Sequence, residues 1–176
     1  PVLERFVKEY RDSTYLKTAM YLLGETYTNL GRTDDAIQAF TNYIARFPDK
    51  DDANLAAVLY DRAFNYLGRK NPGDEELAIK DAKEIVDNFK DHRLFPYANN
   101  LLASLYAGSK EHEQESEAYS LAALESAKKL GDKRPAAEAV YNLLVNATRK
   151  PLPLEPKEAV EAARKARRDE VKKWYD

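Results

Sequence analysis

Between Met20 and Asp49 the apolar positions fall into two helical sets separated by a break. Leu23, Tyr27 and Leu30 recur at i, i+4 and i+7. After Gly31-Arg32-Thr33, the set Ala36, Ile37, Phe40, Tyr43, Ile44 and Phe47 continues the stripe. Gly31 suits the left-handed residue that ends a helix, and Thr33 or Asp34 can accept the free N–H groups that open the next. Pro48 stops the second helix by excluding its predecessor from the α region. A turn of about three residues pairs the two helices as antiparallel neighbours. Gly24 leaves space where they cross, with Ala36 expected opposite it.

The pattern returns along the chain. Leu3, Phe6, Val7 and Tyr10 copy the spacing of Phe40, Tyr43, Ile44 and Phe47. Residues 1–12 therefore read as the second helix of a repeat whose first helix is missing, or as an N-terminal capping helix. A helix starting at Asp52 or Asn54 and running to Gly68 sets Tyr60, Phe64 and Gly68 on Leu23, Tyr27 and Gly31, an offset of 37. After the breaker-rich turn Arg69 to Asp74, the residues Ala78, Ile79, Ala82, Ile85, Val86 and Phe89 follow at an offset of 42. Leu102, Ala103 and Tyr106 begin a third, looser pair, whose second helix, about Glu111 to Leu130, presents Ala118, Tyr119, Ala122, Ala123 and Ala127. Pro135 to Arg149, with Val140, Leu143, Leu144 and Ala147, opens a fourth, and Leu144 is large for the crossing position. Lys150 to Pro156 reads as a stiff extended connection. The last helix has a thin apolar edge of Val160, Ala163, Arg167, Val171 and Trp174 and an otherwise charged surface, as the end of a stacked array requires.

Leu23-Gly24, Tyr27, Gly31, Ala36, Phe40 and Pro48, with Met20 where tryptophan is common, resemble the tetratricopeptide repeat in order and spacing. The resemblance implies an all-α, right-handed superhelical solenoid of antiparallel helix pairs, about nine helices in all. The expected organisation is one domain, 1–176: an incomplete repeat (1–12), repeat 1 (14–50), repeat 2 (51–91), a degenerate repeat 3 (94–131), and a degenerate repeat 4 with its capping helix (135–176).

Composition agrees with a helical chain. Of the 176 residues 44% are hydrophobic and 33% charged, with only six glycines. A net charge of −2 argues against binding nucleic acid, which calls for a basic face. No apolar run is long enough to span a bilayer, and Pro1 to Glu4 is not a signal peptide. The absence of cysteine removes thiolate chemistry. His92 and His112 have no second histidine at helical zinc spacing. Gly68 to Gly73 has the glycine spacing of a phosphate loop, but Asp74-Glu75 stand where Lys-Ser/Thr is needed. Asp49, Asp51 and Asp52 lack the glycine and final glutamate of a calcium loop and read as helix-capping carboxylates. The expectation is a non-enzyme with no cofactor and no metal.

In the resembled fold the first helix of each pair lines a concave groove. The corresponding residues are Tyr21, Glu25, Thr28 and Asn29 in repeat 1, and Val58, Arg62, Asn65 and Tyr66 in repeat 2. Repeats 3 and 4 add Tyr97, Asn100, Ser104 and Tyr141. Rings and amides of this kind suit a peptide or helix of a protein partner, although the same tyrosines could fill seams between repeats. Where chaperone-binding members of the family carry a lysine, asparagine and arginine clamp, this chain has Tyr21, Glu25, Leu59, Tyr97 and Leu101, so chaperone tails are not expected to bind. The alternative is a structural segment that self-associates through the N-terminal helix at Leu3, Phe6 and Tyr10. Tyr10 to Tyr15, Ala19, Tyr21, Leu23-Gly24 and Phe47-Pro48-Asp49 are also similar to repeats of bacterial cell-envelope proteins, which implies a periplasmic or other envelope location.

Overall fold

Alternation between long amphipathic stretches and short breaker-rich turns produces helices throughout. The computed structural model describes residues 2–50, 54–149 and 157–175, which form nine helices and no strand among the described residues. The chain divides between Leu94 and Phe95 into two compact units. The predicted extended connection at 150–156 and the capping carboxylates Asp51 and Asp52 lie outside the described residues.

The first unit comprises α1 (Val2–Glu9), α2 (Leu16–Asn29), α3 (Thr33–Arg46), α4 (Leu55–Arg69) and α5 (Asp74–Asn88). Each helix packs on the next in sequence, and α2 also touches α4. Leu16, Met20, Ala36, Phe40, Tyr43 and Val58 form a buried cluster shared by α2, α3 and α4. Gly24 faces Phe40: a Cβ built on Gly24 would lie 2.3 Å from Phe40 Cε1. The ring fills the space that the missing side chain leaves. Leu30, expected in the stripe, is exposed, because α2 ends before it. Gly31 adopts φ 69°, and the N–H of Arg32 returns to the Tyr27 carbonyl at 2.9 Å, a Schellman closure. Neither Thr33 nor Asp34 holds the capping position of α3. Arg32 does, and its Nε bonds Asp35 in the first turn at 2.7 Å.

The register of α4 differs from the sequence expectation by two residues. The buried positions Leu55, Val58, Leu59, Ala63 and Tyr66 match Leu16, Ala19, Met20, Gly24 and Tyr27 at an offset of 39 rather than 37. Lys70, at φ 59°, then takes the left-handed place of Gly31. Arg69 closes the turn with two bonds to Asp74, at 3.0 and 2.6 Å, and one to Asp34 on α3 at 2.9 Å. The Asn71 N–H adds a bond to Asp74 at 2.8 Å. Arg69 and this backbone donor hold the Asp74 carboxyl below the usual carboxylate range. On α5, Ala78, Ala82 and Ile85, with Phe89 just past its end, are buried at the predicted offset of 42.

The second unit comprises α6 (Phe95–Tyr106), α7 (Glu113–Leu130), α8 (Lys133–Arg149) and α9 (Lys157–Tyr175). Here α6 packs on α7 and α8, α7 on α8, and α8 on α9. The buried stripe of α7 is Ser116, Ser120, Ala123, Leu124 and Ala127, and Ala118 is exposed. The two serines stand where α3 has Ala36 and Phe40. Each satisfies its hydroxyl on a backbone carbonyl: Ser116 on Ala103 and Ser120 on Ser116, both at 2.8 Å. On α8, Leu143 and Ala147 are buried and Leu144 only partly so, which removes the conflict at the crossing. Trp174 of α9 rests on a cluster of Ala123, Leu124, Ala139 and Leu143. Val160, Ala163, Arg167, Val171 and Trp174 are half-buried while most of α9 is exposed, as the thin apolar edge predicts.

Candidate partner-binding face

A helix advances 100° per residue, so the burial pattern assigns a face to every side chain. On α4 the buried arc centres on Leu55, Leu59, Arg62 and Tyr66, and the opposite arc carries Ala57, Tyr60, Asp61, Phe64 and Gly68. At the offset of 39 that arc corresponds on α2 to Thr18, Tyr21, Leu22, Glu25 and Asn29. These two arcs form one face of α2 and α4, at whose inner edge the Tyr21 ring also reaches Phe40 of α3, 6.4 Å between centroids.

Several candidates read from the sequence therefore move. Val58 is completely buried, and Asn65 and Tyr66 are buried as well, because an offset of 37 chose positions two residues away from the open arc. Arg62 is a brace: it donates to both oxygens of Asp81 on α5, at 2.8 and 2.7 Å, and to Thr41 on α3 at 3.1 Å. Tyr66 lies between the guanidinium groups of Arg62 and Arg69. Asn65 donates to Thr28 Oγ1 at 2.8 Å and to the Asp61 carbonyl at 2.8 Å, so Thr28 belongs to the seam between α2 and α4. Asn29 is exposed at the end of α2.

Tyr21 and Glu25 remain at the centre of the face, joined by Asp61, which the sequence reading missed. The Tyr21 hydroxyl lies 3.1 Å from Glu25 Oε1 and 3.2 Å from Asp61 Oδ2. A phenol has one proton, so it serves one carboxylate at a time. Burial, helped by the Glu25 charge, pushes Asp61 up to about 6 against the opposing pull of the Tyr21 hydrogen bond. Burial and the two carboxylates likewise push the Tyr21 phenol up. No cation among the described residues pairs with Glu25 or Asp61. Beside them Tyr60 and Phe64 pack ring to ring at 4.9 Å, with Phe64 50% exposed and Leu22 41% exposed. The signal that finds these residues is the pair of frames Leu16-x-x-Ala19-Met20-x-x-x-Gly24-x-x-Tyr27 and Leu55-x-x-Val58-Leu59-x-x-x-Ala63-x-x-Tyr66.

In the second unit, Asn100 is buried and donates to the Pro135 carbonyl at 2.8 Å, so it ties α6 to α8 instead of facing solvent. Tyr97 is half-buried and donates to Asp132 at 2.9 Å, filling a seam. Ser104 is exposed and bonds the Leu101 carbonyl at 2.8 Å, and Tyr141 on α8 is 65% exposed. Among the described residues, no group of three or more histidines, aspartates or glutamates is placed to hold a metal ion, and no helix is long and apolar enough to cross a membrane.

Residues 18–50, which cover nearly all of α2 and all of α3, match the family model described as tetratricopeptide repeat. No curated protein matches the chain. The close approach of Phe40 to Gly24, the left-handed closure at Gly31 and the buried Ala36 are the physical content of that match. The hairpin of α2 and α3 is therefore similar to a tetratricopeptide repeat, a likeness that spans residues 18–50 of the chain.

Proposed function

We propose that the chain is a non-catalytic scaffold that holds a peptide or helix of a protein partner against the open face of α2 and α4. The observation that carries this reading is the composition of that face. Leu22 and Phe64 are large apolar side chains left in solvent, flanking Tyr21, Glu25 and Asp61. Exposed apolar surface beside carboxylates without a cation suits a partner that brings both an apolar side chain and a donor. Ser104 and Tyr141 are the candidates of the same kind in the second unit. The test is capture of partners from source lysate by the chain and by a Leu22→Ala/Phe64→Ala variant, whose exposed positions leave the helical circular dichroism unchanged. Loss of a partner supports the reading, and retention of every partner by the variant refutes it. A second reading, self-association through α1, is favoured by the exposure of Val2 and Tyr10 and the stacking of Tyr10 on Phe6 at 5.1 Å. Sedimentation showing only monomer across a concentration series would sink it.

A further inference from the structure

A second surface of the first unit is built from other residues. Between α1, α2 and α3 lies a cavity of about 290 Å³, at the small end of the range for ligand sites. Its floor is apolar: Val7, Leu16 and Met20, the last two buried. Its rim carries three exposed cations, Lys8, Arg11 and Arg46. No carboxylate among the described residues pairs with any of them. Arg46 Nη2 donates to the Arg11 carbonyl at 3.0 Å, which draws these two residues together, and Arg11 Nε reaches the Lys8 carbonyl at 3.4 Å. The acid on the wall, Glu4, is already engaged: it accepts the Tyr27 hydroxyl at 2.6 Å and lies 3.7 Å from Arg32. In a chain of net charge −2, three unneutralised cations around one apolar floor are a local concentration of positive charge.

We propose that this cavity docks one large apolar side chain of an acidic segment in a protein partner, with Lys8, Arg11 and Arg46 meeting carboxylates on either side of it. The volume admits a side chain or two and excludes a whole helix. Three cations without an acidic partner call for more than one carboxylate, which a multiply acidic peptide supplies and a single fatty-acid headgroup does not. The site is independent of the α2–α4 face, and its chemistry is opposite: basic where that face is acidic.

The test is fluorescence anisotropy with fluorescein-labelled Asp-Glu-Leu-Leu-Glu-Asp, set against the same peptide with lysine at each acidic position. Saturable binding of the acidic peptide alone is expected. A Lys8→Glu/Arg11→Glu variant should weaken it by roughly tenfold or more, since both substitutions also repel the ligand. Val7→Trp, which fills the cavity, should weaken it similarly, whereas Phe64→Ala should leave it unchanged. Circular dichroism shows that each variant is folded, and the exposed charge reversal decides the matter if Val7→Trp is not. Unchanged affinity in the charge-reversed variant, equal binding of the lysine peptide, or no binding of either peptide overturns the proposal. So does displacement by an equal concentration of octanoate, which would assign the cavity to a single-carboxylate amphiphile.

Discussion

An alanine at position 24 would put its Cβ 2.3 Å from Phe40 Cε1 and 2.6 Å from Cδ1. The ring would have to retreat by roughly 1.5 Å to reach an ordinary carbon–carbon contact of about 3.5–4.0 Å. It has nowhere to go, because Phe40 is fully buried in a cluster with Leu16, Met20, Tyr43 and Val58. Overpacking of this kind costs about 1–3 kcal/mol. Alanine in place of glycine inside a helix returns about 1 kcal/mol through backbone entropy. Crowding should win, leaving Gly24→Ala less stable by up to about 2 kcal/mol. The assay is urea unfolding followed by circular dichroism, with amide exchange in α2 and α3 assigning the transition to the first unit. The decisive comparison uses a Phe40→Leu background, where the Cβ has room. There the sign should reverse, and Gly24→Ala should stabilise by up to about 1 kcal/mol. A stabilising Gly24→Ala in the natural background would refute the argument, since propensity would then outweigh a contact that the ring can evade.

Other expectations follow from individual groups. Asp61 titrates at about 6 in the fold against 3.8 for an ordinary aspartate, so the folded state binds the proton more tightly and loses stability as the pH rises from about 4 to 6. At about 1.4 kcal/mol per unit the shift has an upper bound near 3 kcal/mol, which solvent access reduces to about 1–2. Asp61→Asn should therefore stabilise the first unit at pH 8 and do little at about pH 3, below the unfolded pKa; equal effects at both, measured by urea midpoint, would exclude the charge as the cause. Ser116→Ala should destabilise the second unit by about 1–3 kcal/mol, because Asn146 Nδ2, which donates to Ser116 Oγ at 2.9 Å, would be left buried without an acceptor. A Ser116→Ala/Asn146→Leu pair that is no more stable than the single variant would argue against that account.

How far the sequence carried depended on what each position packs against. Helices α2 and α3 were legible because large apolar residues and two glycines mark both their faces and their ends. In α4 the stripe was equally regular, yet Tyr60 and Phe64 drew the register two residues toward themselves by looking like core. They are aromatic residues on the open face, and a pattern of apolar positions does not distinguish a ring kept for solvent from one kept for the interior. That slip carried Val58, Asn65 and Tyr66 into the candidate site and left Asp61 out. In α7 the difficulty was the reverse: Ser116 and Ser120 occupy core positions, and only the carbonyls that accept their hydroxyls reveal why a polar residue belongs there. Asn100 was misread for a related reason, since its partner, the Pro135 carbonyl, is 35 residues away. Tyr21 and Glu25 keep their places on the open face because their helix was read in the register that the structure has.

The placement of Trp174 has a spectroscopic consequence. It is the only tryptophan in the chain, and it rests half-buried on Ala123, Leu124, Ala139 and Leu143 in the second unit. Emission excited at the red edge of the aromatic band therefore reports the seating of α9 and is blind to α1 through α5. A denaturant titration read by that emission against one read by total ellipticity separates the melting of the two units without any label. Coincident curves would mean that both units unfold at the same denaturant concentration; displaced curves would give the second unit a midpoint of its own.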